Sequence, residues 1–150
     1  MTGAEREANP LGFEQLLLKN QLCFPLYAAA KEVVRRYKPY LDPLGLTYTQ
    51  YIAMMVLWEQ RTANVKTLGE HLYLDSGTLT PLLKKLEQRG YLRRERSGRD
   101  ERNVVVHLTA AGEALQARAA GIPVKMRACL PLGDTEAKQL YALLYRVLGV

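Results

Sequence analysis

Cys23 and Cys129 are the two thiols of this 150-residue chain. A thiol can ligate a metal, join a disulfide or take up oxygen. The chain has no C-x-x-C pair, and its two histidines, His71 and His107, stand at no ligand spacing from either cysteine. A structural zinc site is therefore not expected, nor any other metal or cofactor. Both histidines read as packing or surface residues. For Cys23 the residues leave two readings open. A lone cysteine on the apolar face of a helix is most often a small buried hydrophobe. Against that, Asn20 is a good N-cap residue, and a helix begun there would hold Cys23 in its first turn, where the dipole stabilises a thiolate. Tyr27 falls one turn further on, and Tyr37 and Tyr48 flank the helix break. Phenols can donate a hydrogen bond to a thiolate while their rings keep its surroundings apolar. Cys129 reads either as a second buried cysteine or as a thiol placed just before a turn.

A second constellation lies mid-chain. The run from Leu74 to Glu87 begins with Asp75 and Ser76, carries Thr78, Thr80 and Pro81 early and Lys84 and Lys85 late, and spaces its leucines at 79, 82, 83 and 86. That spacing predicts a short amphipathic helix. A second helical pattern, Lys66 to Tyr73, precedes it by a few residues. Two short helices so tightly joined make a helix-turn-helix, whose second helix can enter a DNA major groove. From Lys84 to Arg102 stand eight basic residues against four acidic ones, within a chain of net charge +6. A basic face beside such a motif points to nucleic acid rather than to a merely solvated surface.

The elements that must position these residues follow from periodicity. Residues 1–11 form a polar lead-in without the apolar core of a signal peptide, and no run reaches membrane-spanning length, so a cytoplasmic location is expected. Phe13, Leu16, Leu17, Cys23, Tyr27, Ala30, Val34 and Tyr37 recur at helical spacing. Pro25 either kinks that helix or lies in its first turn. The stretch 37–45, with Pro39 and Pro43, predicts a break. Thr47 caps a helix to about Trp58, and Gly90 ends the second helix of the helix-turn-helix. Residues 91–96 and 103–108 form a hairpin around Ser97 and Gly98, a wing. A helix from Thr109 to about Cys129, bent at Gly121 and Pro123, precedes a terminal helix from Asp134 or Thr135 to Leu148. Hydrophobic content of 48% and charged content of 24% suit one such globule. The fold class expected is mainly α with a small β-wing, α+β.

That order of elements, with Asp100, Arg102, Leu108, Thr109 and Gly112 across the wing, resembles the MarR family of winged helix-turn-helix repressors. The segments Asn20-Gln21-Leu22-Cys23-Phe24, Leu46-Thr47-Tyr48, Leu57-Trp58-Glu59 and Leu72 to Pro81 are similar to the OhrR subfamily, which senses organic hydroperoxides. The resemblance runs from about Leu16 to Gly112. It implies one domain over residues 12–150, with dimerisation helices at 12–46 and 109–150 and the winged helix-turn-helix at 47–108. It also implies a homodimer seated on palindromic double-stranded operator DNA. Ser76, Thr78, Thr80 and Pro81 would then meet base edges or nearby phosphates, and Lys84 and Lys85 the phosphates. Arg102 would enter the minor groove, with Asp100 orienting a neighbouring arginine.

For Cys23 the resemblance implies a redox-sensing thiol, supported by Tyr27, Tyr37 and Tyr48, the latter two reaching across the dimer. An organic hydroperoxide would oxidise it to a sulfenic acid, and operator DNA would be released. The family contains members that trap this acid with a small thiol and members that use a second cysteine. Cys129 is the candidate resolving cysteine in an intersubunit disulfide. No enzymatic turnover is implied. Pro25 departs from the pattern expected two positions after the sensing cysteine. Three alternatives stay open: a repressor answering to a non-covalent aromatic effector, a thiol peroxidase that would need a recycling partner, and an activator or structural DNA-binding protein without a switch.

Overall fold

Side-chain oxygens start four of the helices, and this local chemistry fixes the frame. The computed structural model describes residues 12–98 and 100–150, with the backbone alone at 97 and 100–102. The chain divides between Arg36 and Tyr37 into two compact units.

In the first unit, two 3₁₀ turns, Glu14–Leu16 and Leu18–Asn20, precede helix α1, Cys23–Leu41, which continues into the second unit. Asn20 is not the cap of α1. Its side-chain amide donates to the Glu14 carbonyl at 2.8 Å, and Gln21 donates to Gln15 at 2.6 Å, so both side chains brace the turns. Of the two readings of Pro25, a kink or a place in the first turn of a helix begun near Asn20, the second holds: short turns run as far as Asn20 and the helix starts at Cys23. Pro25 is the third residue of α1. There its missing N–H removes nothing, because the first four N–H groups of a helix have no partner within it. The break expected at residues 37–39 is also displaced. α1 runs through Pro39 and ends two residues later, so the proline costs a bond only in the last turn.

In the second unit, a 3₁₀ turn at Asp42–Leu44 leads to α2, Tyr48–Gln60. Thr47 and Gln50 form a capping box: the Gln50 N–H donates to Thr47 Oγ1 at 3.3 Å and the Thr47 N–H to Gln50 Oε1 at 3.0 Å. Then follow β1 (Thr62–Asn64), α3 (Val65–Leu72), α4 (Ser76–Gln88), β2 (Leu92–Ser97) and β3 (Asp100–Leu108). Asn64 caps α3 by accepting from the Lys66 N–H at 2.8 Å. The hairpin is the expected wing, but the short strand β1 was not foreseen. It makes β3 the central strand of an antiparallel sheet, with Thr62 opposite His107 and Leu92 opposite Leu108. Three residues of mixed polarity leave too little alternation to announce a strand.

The region expected as one bent helix is two helices, α5 (Ala110–Ala119) and α6 (Ile122–Cys129), parted at Gly121 as the glycine and Pro123 foretold. The terminal helix is α7, Asp134–Leu148. The core of this unit gathers Leu41, Tyr51, Met54, Leu57, Leu68, Leu79, Leu83, Leu86, Leu92 and Val106. α7 buries none of its residues, and Leu140, Tyr141, Leu143, Tyr145 and Val147 are exposed along it. Among the described residues no helix is long and apolar enough to cross a membrane.

Candidate functional site

α4 divides its residues cleanly between two faces. Leu79, Leu82, Leu83 and Leu86 are buried, which anchors the helix. Ser76, Thr78, Thr80, Pro81, Lys84 and Lys85 are all exposed, so the six candidate contact residues lie on accessible surface. Asp75 begins the helix: its carboxylate accepts from the Thr78 N–H at 2.9 Å and from the Thr78 hydroxyl at 3.0 Å. The Thr78 hydroxyl therefore spends its proton on the cap and has lone pairs left to accept. Pro81 is the sixth residue of α4, past the first turn, so its missing N–H removes one helical hydrogen bond.

The Asp75 carboxyl is held below the ordinary carboxylate range, first by the Thr78 backbone N–H and then by its hydroxyl. A carboxyl depressed in the folded state adds stability above its unfolded value, and that share is lost as pH falls through the folded one. The protection factor of the Thr78 amide, its exchange relative to that of an unstructured chain at the same pH, should therefore fall below about pH 4 in wild type. An Asp75→Asn variant should show no such acid step. An identical step in the variant would refute the assignment of the cap.

The basic run behind α4 is less available to a ligand than its count suggests. Arg94 is paired to Glu87 at 2.7 Å, with its own backbone N–H on the same carboxylate at 2.8 Å, which fastens the wing to the end of α4. Arg89 donates to the Gly45 carbonyl and at 3.4 Å to that of Leu44. Arg118, from α5, donates to the preceding carbonyl, Pro43, at 2.9 Å. Gly45 has φ +63°, and the Arg89 guanidinium lies where its Cβ would be. Arg93 reaches Glu95 at 3.4 Å. Several of these charges are thus engaged within the head, although Arg89, Arg93 and Arg118 stay exposed. Lys84, Lys85 and Arg96 are exposed. The side chains of Asp100 and Arg102 lie outside the described residues; their backbone is at the start of β3.

Asn64 also ties the wing down by donating to Asn103, and Trp58 joins α2 to α5, its indole N–H donating to the Gly112 carbonyl at 2.8 Å. His107 sits on the sheet, between Thr62 at 3.3 Å and Glu95 at 3.2 Å, as a surface packing residue. Among the described residues no group of histidine, cysteine and acidic side chains could hold a metal ion.

Both cysteines are exposed, which departs from the buried-hydrophobe reading. Cys23 is the first residue of α1, at the helix end that favours negative charge. Tyr27 lies one turn along the same helix, with the Lys31 ammonium 5.2 Å from its ring centre. Tyr37 and Tyr48 stack in the second unit with ring centres 4.8 Å apart, and Tyr51 joins them 5.7 Å from Tyr37. Burial, then the neighbouring Tyr48, pushes the Tyr37 phenol up to about 12. Burial also raises Tyr48 and Tyr51, so all three hydroxyls are donors at neutral pH. Cys129 ends α6, and its sulfur is 3.7 Å from the Tyr40 hydroxyl. Tyr40 is the residue the sequence did not single out. A contact between positions 89 residues apart leaves no local pattern to read.

The sequence matches the family described as transcriptional regulator SarA/Rot over residues 35–118. It is 48% identical over 136 residues to the organic hydroperoxide resistance transcriptional regulator of Bacillus subtilis (strain 168), covering 91% of this chain and 92% of that one. The chain belongs to the MarR family, in its OhrR subfamily. This MarR-family protein is a DNA-binding transcriptional regulator, and its mainly helical fold with a three-stranded wing is the one expected. Its structure is similar to that of reduced AbfR bound to DNA, with a TM-score of 0.74, 37% identity, and coverage of 91% of this chain and 94% of that one. It is also similar to disulfide-formed AbfR, with a TM-score of 0.65, 37% identity, and coverage of 91% and 93%. AbfR is a protein of Staphylococcus epidermidis.

Proposed function

We propose that this regulator is a homodimeric repressor that leaves its operator when an organic hydroperoxide oxidises Cys23. The observation that carries the reading is an exposed thiol at the first residue of a 19-residue helix, in a chain close to a hydroperoxide-resistance regulator. The Cys23 thiolate attacks the outer peroxide oxygen. The O–O bond breaks, an alkoxide leaves and takes up a proton as the alcohol, and sulfur keeps a hydroxyl as a sulfenic acid. The donor phenols of Tyr37 and Tyr48, supplied by the other subunit, hold the anion before attack, with Tyr27 beside it. An apolar surrounding favours peroxides that carry a tail to bury.

The Cys129 thiol of the other subunit then condenses with the sulfenic acid, forming the S–S bond and releasing water. A disulfide-formed state of the structural relative AbfR supports this two-cysteine route. On DNA, α4 enters the major groove through Ser76, Thr78, Thr80 and Pro81, and Lys84 and Lys85 meet phosphates. Arg102 enters the minor groove, with Asp100 orienting a neighbour. Two-fold protein symmetry on a palindrome uses each contact twice at one fixed spacing. A disulfide that turns the heads out of register empties the operator, since even one mismatched base pair costs about 1–3 kcal/mol.

The test is a non-reducing gel of protein treated with stoichiometric cumene hydroperoxide, with operator binding measured on the same samples. A dimer-sized band that dithiothreitol removes, absent from Cys23→Ser and from Cys129→Ser, is the expected result. Operator release that persists in Cys23→Ser would instead establish a non-covalent effector. Steady peroxide consumption with a thiol reductant would establish a peroxidase.

A further inference from the structure

We propose that Tyr40 is a positioning residue for the resolving thiol, its hydroxyl holding the Cys129 sulfur as a hydrogen-bond donor while that sulfur attacks. The inference rests on the reading of Cys129 as the resolving cysteine and adds a residue to it.

Four observations lead there. First, the Tyr40 hydroxyl and Cys129 sulfur lie 3.7 Å apart, within hydrogen-bonding reach of a sulfur. Second, the ring that carries the hydroxyl is itself held. It stands over a cleft lined by Pro39, Pro43, Leu44 and Ile122, with the Lys125 ammonium 5.6 Å from its centre. Third, Lys125 and Cys129 are one turn apart on α6, so the group that fixes the ring and the sulfur that meets the hydroxyl move together. Fourth, Tyr40 is near the end of the helix whose first residue is Cys23. One helix thus bears the sensing thiol at its start and the partner of the second thiol near its finish.

Which atom donates follows from the form in which the sulfur reacts. The Tyr40 phenol is pushed above the ordinary tyrosine range, first by its hydrogen bond with Cys129, then by the charge on the same sulfur, then by burial. A thiolate sulfur carries no proton and can only accept, so in the attacking form it is the phenol O–H that donates. The charged groups around the pair are Lys125 and Arg118, both lining the cleft, and Arg127, which is engaged with Asp134 at 2.8 Å.

The step balances simply. The Cys129 thiolate attacks the sulfur of the Cys23 sulfenic acid, the S–S bond forms and the S–O bond breaks, and hydroxide leaves to take a proton from solvent. A donor on the thiolate raises its population and lowers its intrinsic nucleophilicity by about half as much on a logarithmic scale. The net effect of one such bond is a gain of about two- to fivefold at neutral pH.

The test compares Tyr40 with Tyr40→Phe, which keeps the ring and removes the donor. In a Cys23→Ser background Cys129 is the sole thiol, and its alkylation by iodoacetamide is followed against pH. The alkylation profile should move to higher pH in Tyr40→Phe. A profile that stays in place or moves lower overturns the proposal. In the Cys23-containing protein, disulfide formation after a pulse of cumene hydroperoxide should slow about two- to fivefold at neutral pH in Tyr40→Phe. An unchanged or faster rate overturns it as well. A wild type that forms no disulfide at all refutes the two-cysteine reading and, with it, a resolving role for Tyr40. The alkylation arm still tells whether Tyr40 donates to the sulfur, so the two failures are distinguishable.

Discussion

Gly112→Ala should lower the stability of the reading head by about 3 kcal/mol, at the upper end of what overpacking costs. A Cβ at this position would lie inside van der Waals contact of the Tyr91 carbonyl oxygen and 2.8 Å from Leu108 Cδ1. Neither neighbour has an easy way out. The Tyr91 carbonyl already accepts from the Thr109 N–H at 3.2 Å, at the junction of β3 and α5. Gly112 itself is pinned at both ends, its N–H on Thr109 Oγ1 at 3.1 Å and its carbonyl under the Trp58 indole at 2.8 Å. Relief of the clash therefore strains the wing root, the start of α5 and α2 together. Urea unfolding gives the readout, as a lower midpoint with little change in slope. A variant within about 0.5 kcal/mol of wild type would show that this close approach is not a constraint.

Leu86→Ala and Lys85→Ala, neighbours on α4, should separate anchoring from reading. Leu86 is fully buried in the core, and its truncation should cost about 2–5 kcal/mol of stability. Lys85 is exposed, and its loss should leave stability within about 0.5 kcal/mol. In operator binding the order reverses. Lys85→Ala should weaken affinity for every sequence alike and reduce the salt dependence by about one released counterion per half-site. Leu86→Ala, assayed where it is still folded, should retain that slope. A Lys85→Ala protein with wild-type affinity and slope would remove this lysine from the DNA face.

How much of this was legible in advance can be argued residue by residue. Asp75, Thr47 and Thr109 announced three helix starts because capping is local, needing only a side-chain oxygen and a nearby N–H. The leucines of α4 gave its buried face for the same reason. Asn20 misled because a capping residue can spend its amide elsewhere, here on the Glu14 carbonyl. The basic run misled in part, since composition cannot tell an arginine that closes a carbonyl turn, such as Arg89, from one left to a ligand. Tyr40 and β1 were illegible because each is defined by a distant partner, Cys129 and β3.

The distribution of caps has a consequence for assembly. α2, α3, α4 and α5 each begin on a side-chain oxygen, and the core closes around them within one chain. α6 begins on Gly121 without a side-chain cap, and α7 leaves its apolar residues exposed. The head is thus encoded at short range and forms in a first-order process whose rate ignores concentration. A second copy that covers α7 arrives by collision, in a step that dilution slows and weakens. Folding of the head and completion of the regulator are therefore separable in time, and scarcity of the protein delays only the second.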